Sequence, residues 1–263
     1  MVYMEYNRFF NIHIPKTGGT YFRENLLKSI EPGLKANGVK LNPDGNGGIS
    51  DIALTPTFHW CWFEPFIEDS TFIFTSLRDP AKRIISHYAW QASRVITYGK
   101  NTASYDINKN NFFKWFETND KVFKNFQSKN LVYYNSDHSI YKEASIEGWD
   151  KNGSPKINSF LFDDDFINFE ISSTVLLSNI KRINIIVRSE DLSKLDYQYK
   201  VLDRISEAFE IPKKESPEFN KYGNQNQLSK TLFDQFTQKE LNKLYEHSSI
   251  DSNIYFSNIY TEI

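Results

Sequence analysis

The sequence predicts an α/β domain in which helices pack on a mainly parallel β-sheet. Three observations lead there. Short β-prone apolar runs at Phe9 to Ile14, Thr71 to Leu77 and Ile183 to Val187 are each followed by a turn and then by a segment with helical apolar spacing. The middle run, TFIFTSL, is nearly continuous in apolar residues, as a strand covered on both faces requires. No internal repeat and no Pro/Ser-rich linker interrupts the 263 residues, so a single domain over 1–263 is expected, with 40% hydrophobic content to supply its core.

Taken in order, the first run ends at Pro15 and a pair of glycines, which turn a strand into a loop. From Thr20, residues Phe22, Leu26 and Ile30 recur at helical steps, and Glu31-Pro32-Gly33 is expected to stop that helix. Residues 37–48, NGVKLNPDGNGG, read as loop. The strand at Thr71 to Leu77 leads to Asp79, a natural N-cap, and Pro80, whose missing N–H costs nothing at the first helical position. Ile84, Ile85, Tyr88, Ala92 and Val95 give that helix an apolar face. A variable region over about 97–160 carries a predicted helix from Phe112 to Gln127. The third strand leads through Arg188-Ser189-Glu190-Asp191 into a helix past Leu202, Ile205 and Phe209, stopped by Pro212. Ser229 is expected to cap a helix carrying Leu232, Phe233 and Phe236, and another helix passes Leu241 and Leu244.

Charge and cysteine content exclude several classes. A net charge of −2, with both signs mixed along the chain, does not suit a nucleic-acid surface, so any anion site must be local. Cys61 is the only cysteine, so no intrachain disulfide forms. No run reaches the roughly 20 apolar residues of a membrane span, and the first residues lack the plan of a signal peptide. A soluble, cytoplasmic protein with no membrane span is the expectation.

The local anion site is NIHIPKTGGTYFRENL, residues 11–26. A strand leading through Gly18-Gly19 to a helix start aims unpaired backbone N–H groups and the positive end of a helix dipole at one point. Lys16 adds a full charge, and Thr17 and Thr20 add hydroxyl donors. It is not a Walker A motif, because the lysine precedes the glycines and the leading glycine is missing. The plain alternative is a strand-to-helix turn with a solvated lysine. A second stretch, LRDPAKRIISHY, puts Arg78 at the end of a buried strand and Ser86 within the next helix. Arginine supplies forked donors for a phosphate, although alone it would pair equally with a carboxylate. Two anion sites at the carboxyl ends of two strands suit a ligand with separated anionic groups.

HIPKTGGT followed by SLRDPAKRIISHY resembles the carbohydrate sulfotransferases of the heparan sulfate 2-O-sulfotransferase type and their bacterial relatives. The likeness covers roughly the first hundred residues; beyond them VRSEDL resembles a family segment without assigned chemistry, and the stretch from Phe219 resembles a C-terminal loop that closes over nucleotide only faintly. The resemblance implies a P-loop-like parallel sheet and the donor 3′-phosphoadenosine 5′-phosphosulfate (PAPS). It implies that Pro15, Lys16, Thr17, Gly18, Gly19 and Thr20 wrap the 5′-phosphosulfate, and that Arg78 and Ser86 hold the 3′-phosphate. Lys16 would stabilise charge developing on the bridging oxygen as the S–O bond breaks. The acceptor would be a glycan hydroxyl, and the product PAP, adenosine 3′,5′-bisphosphate.

The acceptor hydroxyl must lose a proton as it attacks, so a base is required. His59, in TFHWCWF between the two motifs, lies where the resembling enzymes carry a base histidine, and its ordinary pKa near 6.5 leaves it mostly neutral at pH 7. Glu64 is the alternative base, and a packed histidine in an aromatic cluster is the alternative role for His59. His13 and His87 are expected to pack rather than catalyse. Trp60 or Trp62 could line an acceptor cleft, or both could be core. No metal-ligand spacing appears, Asp163-Asp164-Asp165 reads as a solvated charge run, and no metal cofactor is expected. Two other functions compete: a nucleotide-dependent phosphotransferase, and a non-catalytic PAP- or PAPS-binding module.

Overall fold

All seven residues of Thr71–Leu77 are buried, and the apolar side chains among them divide between two separate apolar clusters. Ile73 and Leu77 join one cluster, Phe72 and Phe74 the other, because successive side chains on a strand point to opposite faces. The computed structural model describes residues 5–14, 16–18, 26, 28–41, 62, 64, 67–98, 107–133, 164–212 and 224–262. Its strands are β1 (Arg8–Ile12), β2 (Lys40–Leu41), β3 (Thr71–Leu77) and β4 (Ile185–Arg188). All pairings are parallel, in the order β2-β1-β3-β4.

The helices are α1 (Lys28–Ala36), α2 (Pro80–Tyr98), α3 (Lys109–Phe123), α4 (Phe126–Asn130), α5 (Asp164–Asn168), α6 (Ser173–Arg182), α7 (Leu195–Ala208), α8 (Asn224–Phe233), α9 (Gln238–His247) and α10 (Ser249–Phe256). Ile30 and Leu34 of α1 and Val201, Leu202 and Ile205 of α7 cover one face of the sheet. The other face carries Ile84, Ile85 and Tyr88 of α2, backed by Phe112, Trp115, Phe123 and Phe126. The result is an α/β sandwich of three layers. Among the described residues no helix is long and apolar enough to cross a membrane.

Asp79 caps α2 as expected: its carboxylate accepts the Lys82 N–H at 2.9 Å, with Pro80 opening the helix. Other boundaries differ from expectation. Pro32 does not end its helix but sits inside α1. An interior proline costs about 3 kcal/mol. Burial of Ile30 and Leu34 contributes about 1.5–3 kcal/mol apiece, which offsets that cost. The helix stops instead at Gly38, with φ +70°, where Gly38 N–H bonds to the Lys35 carbonyl and Val39 N–H to the Leu34 carbonyl in a Schellman motif. The loop expected over 37–48 contains β2, because Lys40 and Leu41 pair with Arg8 and Phe9 and Leu41 buries its side chain.

The helix expected from Phe112 to Gln127 is two helices, broken at Asn125, whose φ of +51° places it in the left-handed region that asparagine tolerates. Ser229 lies buried inside α8 rather than at its start; the capping box of the C-terminal region is Thr237 with Glu240, at the start of α9. The first and third strands are shorter than expected, ending at Ile12 and beginning at Ile185.

Candidate functional site

In the order β2-β1-β3-β4 the chain leaves β1 toward one edge to form β2, then returns across β1 to form β3. Loops that depart in opposite directions leave a crevice at the carboxyl ends of β1 and β3, where open parallel sheets bind ligands. Both motifs singled out in the sequence lie there. Residues 16–18 follow β1, and Arg78 is the first residue after β3.

The two motifs touch. An Arg78 Nη1 N–H donates to the Lys16 carbonyl at 3.2 Å. Among the described residues this is the guanidinium's single hydrogen bond, which leaves its other donors for a ligand. Burial lowers the Arg78 pKa from the ordinary arginine value, while the charges of Glu190 and Asp79 oppose that shift. It stays a cation at any physiological pH.

Lys16 has φ +67° and Gly18 φ +87°. A left-handed conformation costs a non-glycine residue roughly 1–2 kcal/mol, so the loop stores strain at Lys16. Gly18 has a packing reason as well, since a Cβ there would meet Ser189 Oγ at 3.1 Å. The Lys16 ammonium lies 5.3 Å from the centre of the Trp90 ring. Trp90 sits one helical turn beyond Ser86 on α2, so the ammonium and the Ser86 hydroxyl share one helix face. Ser86 itself is 6% exposed.

Thr17, expected as a hydroxyl donor to an anion, is fully buried and donates instead to the Ile14 carbonyl at 2.8 Å. Its carbonyl accepts the Ser76 hydroxyl at 2.8 Å, which ties the loop to β3. Pro15, Gly19, Thr20 and the expected base His59 lie outside the described residues, as do Trp60 and Asp163.

Glu64, the alternative base, is held elsewhere. Both its oxygens accept from Arg182 Nη1, at 2.8 and 2.9 Å, and one also accepts the Trp62 indole N–H at 2.7 Å. Burial alone would raise its pKa, but Arg182 and Trp62 outweigh that and hold it below the usual carboxylate value. Arg182 ends the helix that leads into the amino end of β4, whereas Lys16 and Arg78 follow the carboxyl ends of β1 and β3, so the pair belongs to the opposite end of the parallel strands. Trp62 is 2% exposed and belongs to the core. His87 packs against Trp90, Trp115 and Phe123, also as expected.

Sequence reasoning missed the residues that surround Arg78. Asp79 Oδ2 accepts the Tyr245 hydroxyl at 2.8 Å, and Glu190 Oε2 accepts the Tyr255 hydroxyl at 3.0 Å. Burial and the neighbouring carboxylates push both phenols upward, so they remain donors at neutral pH. Gln127 bonds the Arg78 backbone from both sides of its amide. Glu190 had a usable signal, since it follows an apolar strand at the same sheet edge. Gln127, Tyr245 and Tyr255 had none, because their partners are far away along the chain.

Comparison with protein-family models, curated proteins and solved structures finds no match to this chain. What the site can do rests on its residues: two cations and a strained, glycine-containing loop at the switch point of a parallel sheet, an arrangement suited to a ligand with more than one anionic group.

Proposed function

We propose that the chain is a PAPS-dependent sulfotransferase with a P-loop-like sheet, moving a sulfuryl group to a glycan hydroxyl and releasing PAP. The observation that carries this reading is the contact between the motifs: Arg78 reaches the Lys16 carbonyl, so two cations from distant parts of the sequence converge at the carboxyl ends of β1 and β3. Two cationic residues that follow neighbouring strands would suit a donor bearing phosphate at one end and phosphosulfate at the other.

When bound, PAPS supplies an activated sulfuryl group on a good leaving oxygen. The protein's share follows from its own residues. Lys16, drawn from the Trp90 face onto the bridging oxygen, stabilises the charge that grows as the S–O bond breaks. Arg78 and Ser86 hold the 3′-phosphate through charge-assisted and hydroxyl hydrogen bonds. Pro15, Lys16, Gly18, Gly19 and Thr20 cradle the phosphosulfate, and Thr17 fixes the loop from beneath through Ile14 and Ser76. His59 accepts the acceptor hydroxyl proton as the new O–S bond forms. No metal takes part in this scheme. On the same reading the region about 97–160 would serve the acceptor, and the protein would work in the cytoplasm.

Transfer of labelled sulfate from PAPS to a panel of glycans, peptides and phenols tests the activity, with His59→Ala as the base-deficient control. Label on glycans with the wild type, and little with the control, is the expected result. Calorimetry with PAP and 5′-AMP tests the site. Arg78→Ala should weaken PAP binding by roughly 10- to 150-fold, the equivalent of a charge-assisted hydrogen bond worth about 1.5–3 kcal/mol, and leave 5′-AMP binding alone. PAP binding without any sulfate transfer would favour the non-catalytic module.

A further inference from the structure

Arg78 projects from the end of β3, and a strand end is only as well placed as whatever holds its backbone. The side-chain amide of Gln127 does this as a neighbouring strand's peptide would. Gln127 Oε1 accepts the Arg78 N–H at 2.9 Å, and Gln127 Nε2 donates to the Arg78 carbonyl at 2.8 Å. Gln127 is 2% exposed, so water does not compete for either bond.

Gln127 is in turn fixed from the C-terminal end of the chain. The fully buried Asp251 carboxylate caps α4, accepting the Gln127 N–H at 3.0 Å, the Ser128 N–H at 2.7 Å and the Ser128 hydroxyl at 2.5 Å. The capping is reciprocal: Asn125, the N-cap of α4, accepts the Ile250 N–H of α10 through Oδ1 at 2.9 Å. Four residues beyond Asp251, on the same face of α10, Tyr255 donates to Glu190, whose charge acts on the Arg78 guanidinium. One helix thus governs both the backbone and the electrostatic surroundings of Arg78.

We propose that Gln127 is a positioning residue that aims Arg78 at the 3′-phosphate and so sets the preference for PAP over 5′-AMP, with Asp251 holding Gln127 in place. This rests on the sulfotransferase reading of the site. Gln127 touches no ligand in this scheme; it acts through Arg78. Misplacement of a binding group by about an ångström costs up to roughly a hundredfold.

The test is calorimetry of PAP and 5′-AMP on the wild type, Gln127→Met and Asp251→Asn, each checked for folding by circular dichroism. Gln127→Met keeps the volume and removes both bonds to Arg78. It should lower PAP affinity about ten- to a hundredfold, with 5′-AMP affinity unchanged, so that the two ligands approach equality. Asp251→Asn removes one strong acceptor far from any ligand and should shift the ratio the same way by less. If Gln127→Met does not fold, the ratio in Asp251→Asn decides. A wild type that binds PAP and 5′-AMP equally overturns the reading of the site and this inference with it. A wild type that discriminates, beside folded variants that discriminate just as well, overturns the role of Gln127 alone.

Discussion

Lys16 carries two burdens that substitution can separate. Its ammonium supplies charge, and its backbone occupies a left-handed conformation that glycine adopts without strain. On the proposed sulfotransferase reading, Lys16→Ala and Lys16→Gly should lose turnover alike, by far more than either loses PAP affinity, because the charge would act chiefly in the transition state. They should differ in stability, with the glycine variant ahead by about 1–2 kcal/mol because the left-handed penalty is gone. Urea denaturation beside single-turnover kinetics would check both halves. Equal stabilities would remove the strain argument, and unchanged turnover at saturating PAPS would remove the catalytic one. Lys16 itself was legible from its place between an apolar run and two glycines. Its strain was not, since φ depends on how Thr17 and Ser76 tie the loop to β3.

Helix ends follow two different rules here. Where a cap is local, as with Asp79 before Pro80, the residues announce it. Where the end is fixed by burial, they do not, and Pro32 stays inside α1 because Ile30 and Leu34 are buried on either side of it. The C-terminus of α7 is a second Schellman motif, with Glu210 N–H on the Glu207 carbonyl and Ile211 N–H on the Ser206 carbonyl. Here the left-handed position belongs to Glu210, at φ +51°, rather than to a glycine. Glu210→Gly should stabilise the protein by about 1 kcal/mol, seen as a higher urea midpoint with an unchanged slope. A lower midpoint would mean that the Glu210 side chain contributes more than its backbone costs.

Across the whole molecule, the C-terminal helices α9 and α10 pack on α2, and α10 on α4, which buries Asp251 among the first turn of α4, Arg83 and Lys129. Burial raises the Asp251 pKa above its ordinary value, although the Ser128 and Gln127 donors and the Arg83 charge pull it down. The folded state therefore holds this proton more tightly than the unfolded chain. Its contribution to stability is greatest below the unfolded value and falls as pH rises through the folded one. Measured by urea unfolding from pH 4 to pH 7, the stability of the wild type relative to Asp251→Asn should decline with rising pH. A difference that grows with pH would show that hydrogen bonding to the carboxylate, not burial, dominates.

By itself the sequence determined the α/β class, the strands at TFIFTSL and its two companions, and the two clusters of polar residues that follow them. Those signals are local: periodicity, turn residues and caps act within a few positions of one another. The tertiary structure alone decided that Lys16 and Arg78 share one crevice, that Thr17 spends its hydroxyl on Ile14, that Glu64 pairs with Arg182 at the amino end of the strands, and that Gln127 and Asp251 stand behind Arg78. Apart from Thr17 with Ile14, these are contacts between residues tens to more than a hundred positions apart. Burial and chain topology determine such pairings, and neither leaves a repeating pattern in the order of the residues.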